Sequence, residues 1–263
     1  VVRCFDNDNI IHVDSSVDPV RDKETIDIEL QLKDLETVEK RLERVKRTAK
    51  TGNKDAQTEL VVLLKIQETL LKGVSVRALE FSEKEMEYVQ PLQFITSKPV
   101  LYVCNVDENS AVSGNDYVER IREAVKDENA EVIVLAVGTE ADITELDDYE
   151  ERQMFLQDIG LDEPGAAKLI RSAYKLLNQQ TYFTAGVKEV RAWTVDIGAT
   201  GPQAAGVIHT DFEKGFIRAE VISYEDYTTY ETEAKVKEAG RMRVEGKEYT
   251  VVDGDVMHFR FNV

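Results

Sequence analysis

The sequence predicts an α/β protein: a parallel-sheet domain interrupted by a long helical hairpin, then a small mixed domain of the β-grasp kind. Three observations carry this. The apolar runs at 99–104 (Pro-Val-Leu-Tyr-Val-Cys) and 132–137 (Val-Ile-Val-Leu-Ala-Val) read as strands buried on both faces of a parallel sheet. Residues 23–72 show apolar spacing of three and four, broken at Thr51-Gly52-Asn53. After Asn178 the pattern becomes one of short strands, ending in an Asp253-Gly254 turn signal between two apolar runs.

Taken in order, residues 1–5 read as the end of a buried strand. Asp6-Asn7-Asp8-Asn9 reads as the polar loop beyond it, Ile10-Ile11-His12-Val13 as a short extension, and Pro19 as a turn. A helix from about Lys23 carries a seam of Ile28, Leu35, Val38, Leu42, Val45 and Ala49, supported by the pairs Glu36–Lys40 and Glu43–Arg47. A second helix, from about Asp55 to Lys72, places Leu60, Leu63, Leu64, Leu70 and Leu71 on its apolar face, and Gly73 ends it. Together they make an αα-hairpin, a coiled-coil-like insertion. Ser82 and Glu85 form a capping-box pattern for a short helix that stops before Pro91. Helices are predicted at 118–125, 150–156 and 165–177. Strand, helix, strand and helix in this order give the parallel α/β unit. Beyond it, strands are expected at 181–183, 189–195 and 216–223, one small helix at 202–209, and a terminal hairpin of 249–252 with 256–261. The implied domains are 1–22 with 96–177 (parallel sheet), 23–95 (hairpin) and 178–263 (β-grasp).

Of the 263 residues, 42% are hydrophobic and 32% charged, which suits a real core under a charged surface. No apolar run approaches the ~20 residues of a membrane span, no basic leader with a cleavage site opens the chain, and the two cysteines, Cys4 and Cys104, lie in strand-like runs as buried thiols. A cytoplasmic protein without membrane partners is the expectation. The first residue is Val, inside an apolar stretch, so the chain reads as opened mid-strand. The net charge of −18 argues against broad wrapping of nucleic acid. Against that background residues 40–54 hold Lys40, Arg41, Arg44, Lys46, Arg47, Lys50 and Lys54 with Glu43 as the one acid. This cluster falls at the hairpin tip, either as a solvated helix face or as an arm that touches RNA phosphates.

Asn105-Val106-Asp107-Glu108 directly follows the first buried strand, and ligands of open α/β sheets bind at the carboxyl ends of strands. The run stands where an Asn-Lys-x-Asp motif reads the base in phosphate-loop GTPases, with Val106 for the Lys and Glu108 for the Asp. Guanine offers two N–H donors on its N1/N2 edge that one carboxylate accepts together, whereas adenine offers an acceptor and a donor. Replacing Asp by the longer Glu108 removes the enforcement of guanine. Ala136, Val137 and Gly138 end the next strand, where backbone lines a base pocket. No Gly-x-x-x-x-Gly-Lys-Ser/Thr run occurs, so no hydrolytic centre is expected within these residues and no catalytic residue is assigned. His12, His209 and His258 lie far apart in sequence without metal-ligand spacing, and no metal ligand is assigned.

With these residues in view the chain resembles the Obg-like ATPases of the YchF type, along essentially its whole length. The resemblance is carried by Arg3-Cys4-Phe5-Asp6-Asn7-Asp8-Asn9-Ile10, by Ser16-Val17-Asp18-Pro19, by Asn105-Val106-Asp107-Glu108, and by two longer runs at 182–193 (Tyr-Phe-Thr-Ala-Gly-Val-Lys-Glu-Val-Arg-Ala-Trp) and 206–217 (Gly-Val-Ile-His-Thr-Asp-Phe-Glu-Lys-Gly-Phe-Ile). The last two look like a TGS domain, a β-grasp module shared with threonyl-tRNA synthetases and stringent-response enzymes. The resemblance implies part of a phosphate-loop NTPase sheet and a Mg²⁺-dependent ATPase that also accepts GTP. It further implies association with the ribosome or structured RNA, and contact of Asn105, Val106, Glu108 and Phe5 with the nucleotide. It places the phosphate loop and switch regions before Val1. These residues alone are then expected to be inactive, to bind no nucleotide tightly and to expose a sheet edge prone to disorder or association. The competing expectation is a non-catalytic RNA- or ribosome-binding module acting through the hairpin tip and TGS domain.

Overall fold

A computed structural model describes residues 1–128, 130–186 and 189–262. Two compact units, Val1–Ser172 and Ala173–Val263, share the chain. In the first, β1 (Val2–Arg3), β2 (Val100–Asn105) and β3 (Ala130–Leu135) form a parallel sheet in that order. Arg3 pairs with Asn105, and Asn105 with Leu135, so all three strands end level. β2 is covered on both faces, as its unbroken apolar run predicts. Tyr102, Cys104 and Val106 join Val2, Cys4 and the inner side of α4 (Asp116–Val125). Val103 packs on the opposite face with Ile133, Leu135 and Leu169 of α7 (Gly165–Leu176).

The hairpin consists of α1 (Pro19–Ala49) and α2 (Lys54–Leu71). Pro19 is not a turn residue but the first residue of α1, where its missing N–H costs nothing and its fixed φ suits the helix. Asp18 caps that end, accepting from Val20 N and Arg21 N at 3.2 and 3.3 Å. The Arg120 guanidinium donates to the same oxygen at 2.8 Å and, with those backbone bonds, holds the Asp18 carboxyl below the usual carboxylate range. The seam of α1 runs Gln31, Asp34, Val38, Leu42, Val45 and Ala49. Ile28, predicted to lie on it, is exposed, as are Leu64 and Leu71 of α2. Near the root of α1 the buried positions hold polar side chains that bind backbone. Gln31 donates to Gly73 O at 3.1 Å, and Asp34, 2% exposed, accepts from Ile95 N and Thr96 N at 2.8 and 2.7 Å. α3 (Glu83–Val89) opens with the predicted capping box.

Glu128 joins the hairpin root to the sheet. It accepts from Lys23 (2.6 Å), Arg77 (3.0 Å) and the Tyr102 hydroxyl (3.0 Å), and Lys23 also binds Asp27 at 2.8 Å. Burial works against the charge of Glu128, but the hydrogen bonds from Lys23 and Arg77 outweigh it and leave its pKa lowered. The hydroxyl of Tyr102, desolvated beside Asp27, has its pKa pushed up to about 12. An 820 Å³ crevice lined by Lys23, Asp27, Gln31, Arg77 and Glu128 opens beside this node.

In the second unit the strands are β4 (Gln179–Ala185), β5 (Val190–Asp196), β6 (Phe216–Ile222), β7 (Arg243–Glu245) and β8 (Val256–Phe261), in the order β5-β4-β8-β6-β7. The sheet is mixed, since β4 and β8 run parallel and the other neighbours antiparallel. The expected single helix is replaced by four among the described residues: α8 (Gly201–Ile208), α9 (Thr210–Lys214), α10 (Tyr224–Tyr230) and α11 (Glu233–Glu238). The predicted terminal hairpin does not form. Residues 249–251 bond instead to 199–201, through Gly201 N to Tyr249 O and Val251 N to Ala199 O. β8 pairs with β6, which lets Met257 and Phe259 enter the core. Asp253 and Gly254 do form a tight turn, with Gly254 at φ 83°, but it is tied to Thr181 of β4. Asp255, 2% exposed, holds the loop by accepting from the Tyr249 hydroxyl at 2.6 Å and Val252 N at 3.0 Å. Desolvation and that carboxylate push the Tyr249 hydroxyl up to about 12. Of the TGS-like run at 182–193, Val187 and Lys188 lie outside the described residues.

Two tests follow from the clamps. Asp34→Ala strips the acceptors from two N–H groups, of which Thr96 N is buried, and is expected to cost about 2–4 kcal/mol in urea unfolding, with Asp34→Asn costing less. For Glu128, a pKa depressed on folding adds stability that is present above the unfolded value of roughly 4.3 and lost as pH falls through the folded one. Glu128→Gln is therefore expected to be destabilising at neutral pH, with its gap to wild type closing below about pH 4. A gap independent of pH would show that the charge is not what matters.

Candidate functional site

The three parallel strands end level, so their C-terminal edge gathers Phe5, Asn105 and the loop after Leu135 on one rim. Arg3, the last residue of β1, knits the first loop by donating to Phe5 O (3.1 Å), Asn7 O (3.2 Å) and Ile10 O (2.9 Å), and its guanidinium lies 4.8 Å from the centre of the Phe5 ring. Asn115 caps α4 and donates to Cys4 O at 2.8 Å, tying that helix to β1.

Asn105 is half-buried at the end of β2. Its Oδ1 accepts the Val137 N–H at 3.1 Å. A backbone donor must face the amide oxygen, so the Asn105 NH₂ group is the end turned away from Val137 N. Val106 N donates to Leu135 O at 2.9 Å, and the Val106 side chain lies in the core with Val2 and Cys104. Alternation along the strand turns this side chain inward, so the backbone of Val106 is the part left to meet a base. Asp107 starts a 3₁₀ turn over Glu108–Ser110 and accepts from Ser110 N at 3.1 Å, which leaves Glu108 exposed on that turn. Ala136 is buried, and Val137 and Gly138 are exposed. The latter two do not prolong β3. They begin α5 (Val137–Glu145), a helix the apolar run had concealed. A 640 Å³ cavity at this rim is lined by Phe5, Asp6, Asp107, Ser110, Asn115, Asp116, Tyr117 and Arg120. Asn105, Ala136, Val137 and Gly138 stand outside it. Phe5 and Asp107 line this cavity, and Glu108 does not.

The seven tip cations, Lys40, Arg41, Arg44, Lys46, Arg47, Lys50 and Lys54, are all exposed. Arg41 alone among them forms an ion pair in the described residues, with Glu59 at 2.6 Å. The fold also assembles a group that sequence spacing did not suggest: His12, Asp14 and Asp22 offer ligand atoms within 4.8 Å of one another. Its geometry is that of a latch. His12 Nδ1 accepts from Asp14 N at 3.2 Å, so its proton sits on Nε2 and is donated to Asp22 at 2.9 Å. Arg21 reaches both carboxylates, Asp22 at 2.9 Å and Asp14 at 3.6 Å, and supplies the positive charge that a cation would bring. The signal available in sequence was the closeness of His-x-Asp to Arg-Asp across a short loop, legible only once Pro19 is seen to start a helix.

Residues 179–262 match the family model YchF-GTPase_C, described as a protein of unknown function (DUF933). Over all 263 residues the chain is 55% identical to a protein of Escherichia coli O157:H7 named ribosome-binding ATPase YchF, covering 72% of it. A protein of the same name from Bacillus subtilis is 52% identical, again over the whole chain and 72% of the relative. Among solved structures, the YchF GTPase of Schizosaccharomyces pombe superposes with a TM-score of 0.83 at 35% identity, covering 98% of this chain and 70% of that one. With a shared architecture and more than half of its residues identical to such relatives, the chain belongs to the YchF family of Obg-like NTPases.

Proposed function

We propose that the C-terminal rim of β1, β2 and β3 is the base-reading part of a purine-nucleotide site in a ribosome-associated ATPase. The observation that carries this is the Asn105 amide at the end of β2, whose oxygen is held by Val137 N–H, which leaves its NH₂ group as the donor proposed to meet the base. A purine offers N7 as an acceptor to such a donor. N7 is common to adenine and guanine, so Asn105 selects purines and leaves the choice between them to other groups. Glu108 stands on an exposed turn, and no described contact holds its carboxylate where guanine N1 and N2 would need it. That favours ATP while leaving GTP acceptable, in keeping with relatives named as an ATPase and as a GTPase. Phe5, at the end of the neighbouring strand, supplies an aromatic ring beside the base. Mg²⁺ enters with the triphosphate, whose charge it neutralises. These 263 residues contain no Gly-x-x-x-x-Gly-Lys-Ser/Thr run, so none of them is assigned to the phosphates or the metal, and on their own they are proposed to turn over no nucleotide. Calorimetric titration of Mg-ATP and Mg-GTP into the full-length protein is the test. Asn105→Ala is expected to weaken both at least tenfold, the scale of one good hydrogen bond to the base. Unchanged affinity would remove Asn105 from the site.

A second reading has its own observation, the exposed cations at the hairpin tip on a chain of net charge −18. Helices of 31 and 18 residues carry them, and helix α1 alone extends about 46 Å. We infer that this arm contacts ribosomal RNA phosphates, with residues 178–263 as a TGS module. The two readings are compatible, since one concerns the nucleotide and the other the partner. Lys46→Glu with Arg47→Glu is expected to lower ribosome affinity about tenfold at low salt and to flatten its salt dependence. Binding indifferent to salt would point to a protein partner instead.

A further inference from the structure

The N-terminus of α5 carries the Val137 N–H that Asn105 Oδ1 accepts, since Ala136 at the cap position has no side-chain acceptor of its own. The inner side of the helix is held by Thr139 and Ile143, both buried. Its other anchor is Glu140. Oε1 accepts from Gly165 N at 2.6 Å and Oε2 from Ala166 N at 3.2 Å. These are the first two N–H groups of α7, a twelve-residue helix whose positive end favours a carboxylate. The approach is close because residue 165 has no side chain. A Cβ there would overlap Leu135 and lie 2.8 Å from Oε1 of Glu140. Leu135 is the last residue of β3, so Gly165 touches both the strand that leads into the rim and the residue that pins α5.

We propose that Glu140 is a positioning residue for purine recognition: its two-point grip on the α7 N-terminus sets where Val137 stands, and through it the aim of the Asn105 amide. The inference rests on the base-site reading above. It assigns Glu140 no contact with the nucleotide. The carboxylate suits the task in two ways, since it offers two oxygens to two N–H groups and a full charge to the helix end. Gln offers one acceptor oxygen and no charge, and Asp falls one methylene short.

The test is the ratio of Mg-ATP to Mg-CTP affinity in the full-length protein, because pyrimidines lack N7. Asn105→Ala is expected to bring the ratio near one. Glu140→Gln is expected to lower ATP affinity three- to tenfold with CTP affinity unchanged, and to cause no further loss in the Asn105→Ala background. Glu140→Asp carries the same measurement if the Gln variant fails to fold. Should Glu140 variants leave the ratio at its wild-type value while Asn105→Ala collapses it, the positioning role is overturned and the base site stands. Equal losses for ATP and CTP would likewise overturn it, as the mark of a general structural defect. A ratio that survives Asn105→Ala sinks the base-site reading itself.

Discussion

The burial of β2 between two apolar layers is the constraint on which the first unit depends. Cys104 and Tyr102 face one layer, and Val103 faces the other. Its register is held by pairing on both edges, with Val2 opposite Cys104 on one side and Ala130–Leu135 opposite Val100–Asn105 on the other. The end of β2 is therefore a fixed point, and so is Asn105. The neighbouring strands are drawn level with it, Arg3 on one side and Leu135 on the other. A rim is the natural product of three parallel strands that stop together, and the polar residues following each strand are presented there without competition from the core.

The hairpin poses the opposite problem. A helix of 31 residues reaches well beyond the sheet, and apolar packing between α1 and α2 holds the two helices to each other without fixing their direction. Direction comes from polar groups at the root. Asp34 binds the 95–96 backbone, Gln31 binds Gly73, and Glu128 gathers Lys23, Arg77 and Tyr102. Hydrogen bonds with narrow geometry specify an angle in a way that non-directional burial does not. The root thereby gives up apolar seam positions, and Ile28 lies exposed.

The second unit builds order from one crossing. β8 lies between β4 and β6, parallel to one and antiparallel to the other, so the chain's last strand closes the sheet at its middle. Tyr182, fully buried, donates its hydroxyl to Ala204 O at 2.8 Å and meets Phe259 edge to face. The core beneath α8 is thus stitched by residues from both ends of the unit. Asp255 performs the same service for the loop before β8.

Local pattern by itself determined the two buried parallel strands, both hairpin helices with their Gly52 break, the Ser82–Glu85 cap and most strands of the second unit, because periodicity and turn chemistry act over a few residues. It also placed Asn105 at the carboxyl end of a buried strand, since such an end is readable from composition. Other features were decided only in three dimensions. Val137 begins a helix inside an apolar run because Asn105 and Glu140 hold it there. Tyr249–Val252 abandons the adjacent β8 for residues 199–201 because Asp255 and the β6 pairing give a deeper core. Val106 turns inward by the register of a sheet, and His12, Asp14, Arg21 and Asp22 converge only when Pro19 starts α1. In each case the deciding partner lies far away in sequence or across a loop. A one-dimensional pattern records which side of an element is apolar, while the polar group that meets it is set by tertiary geometry.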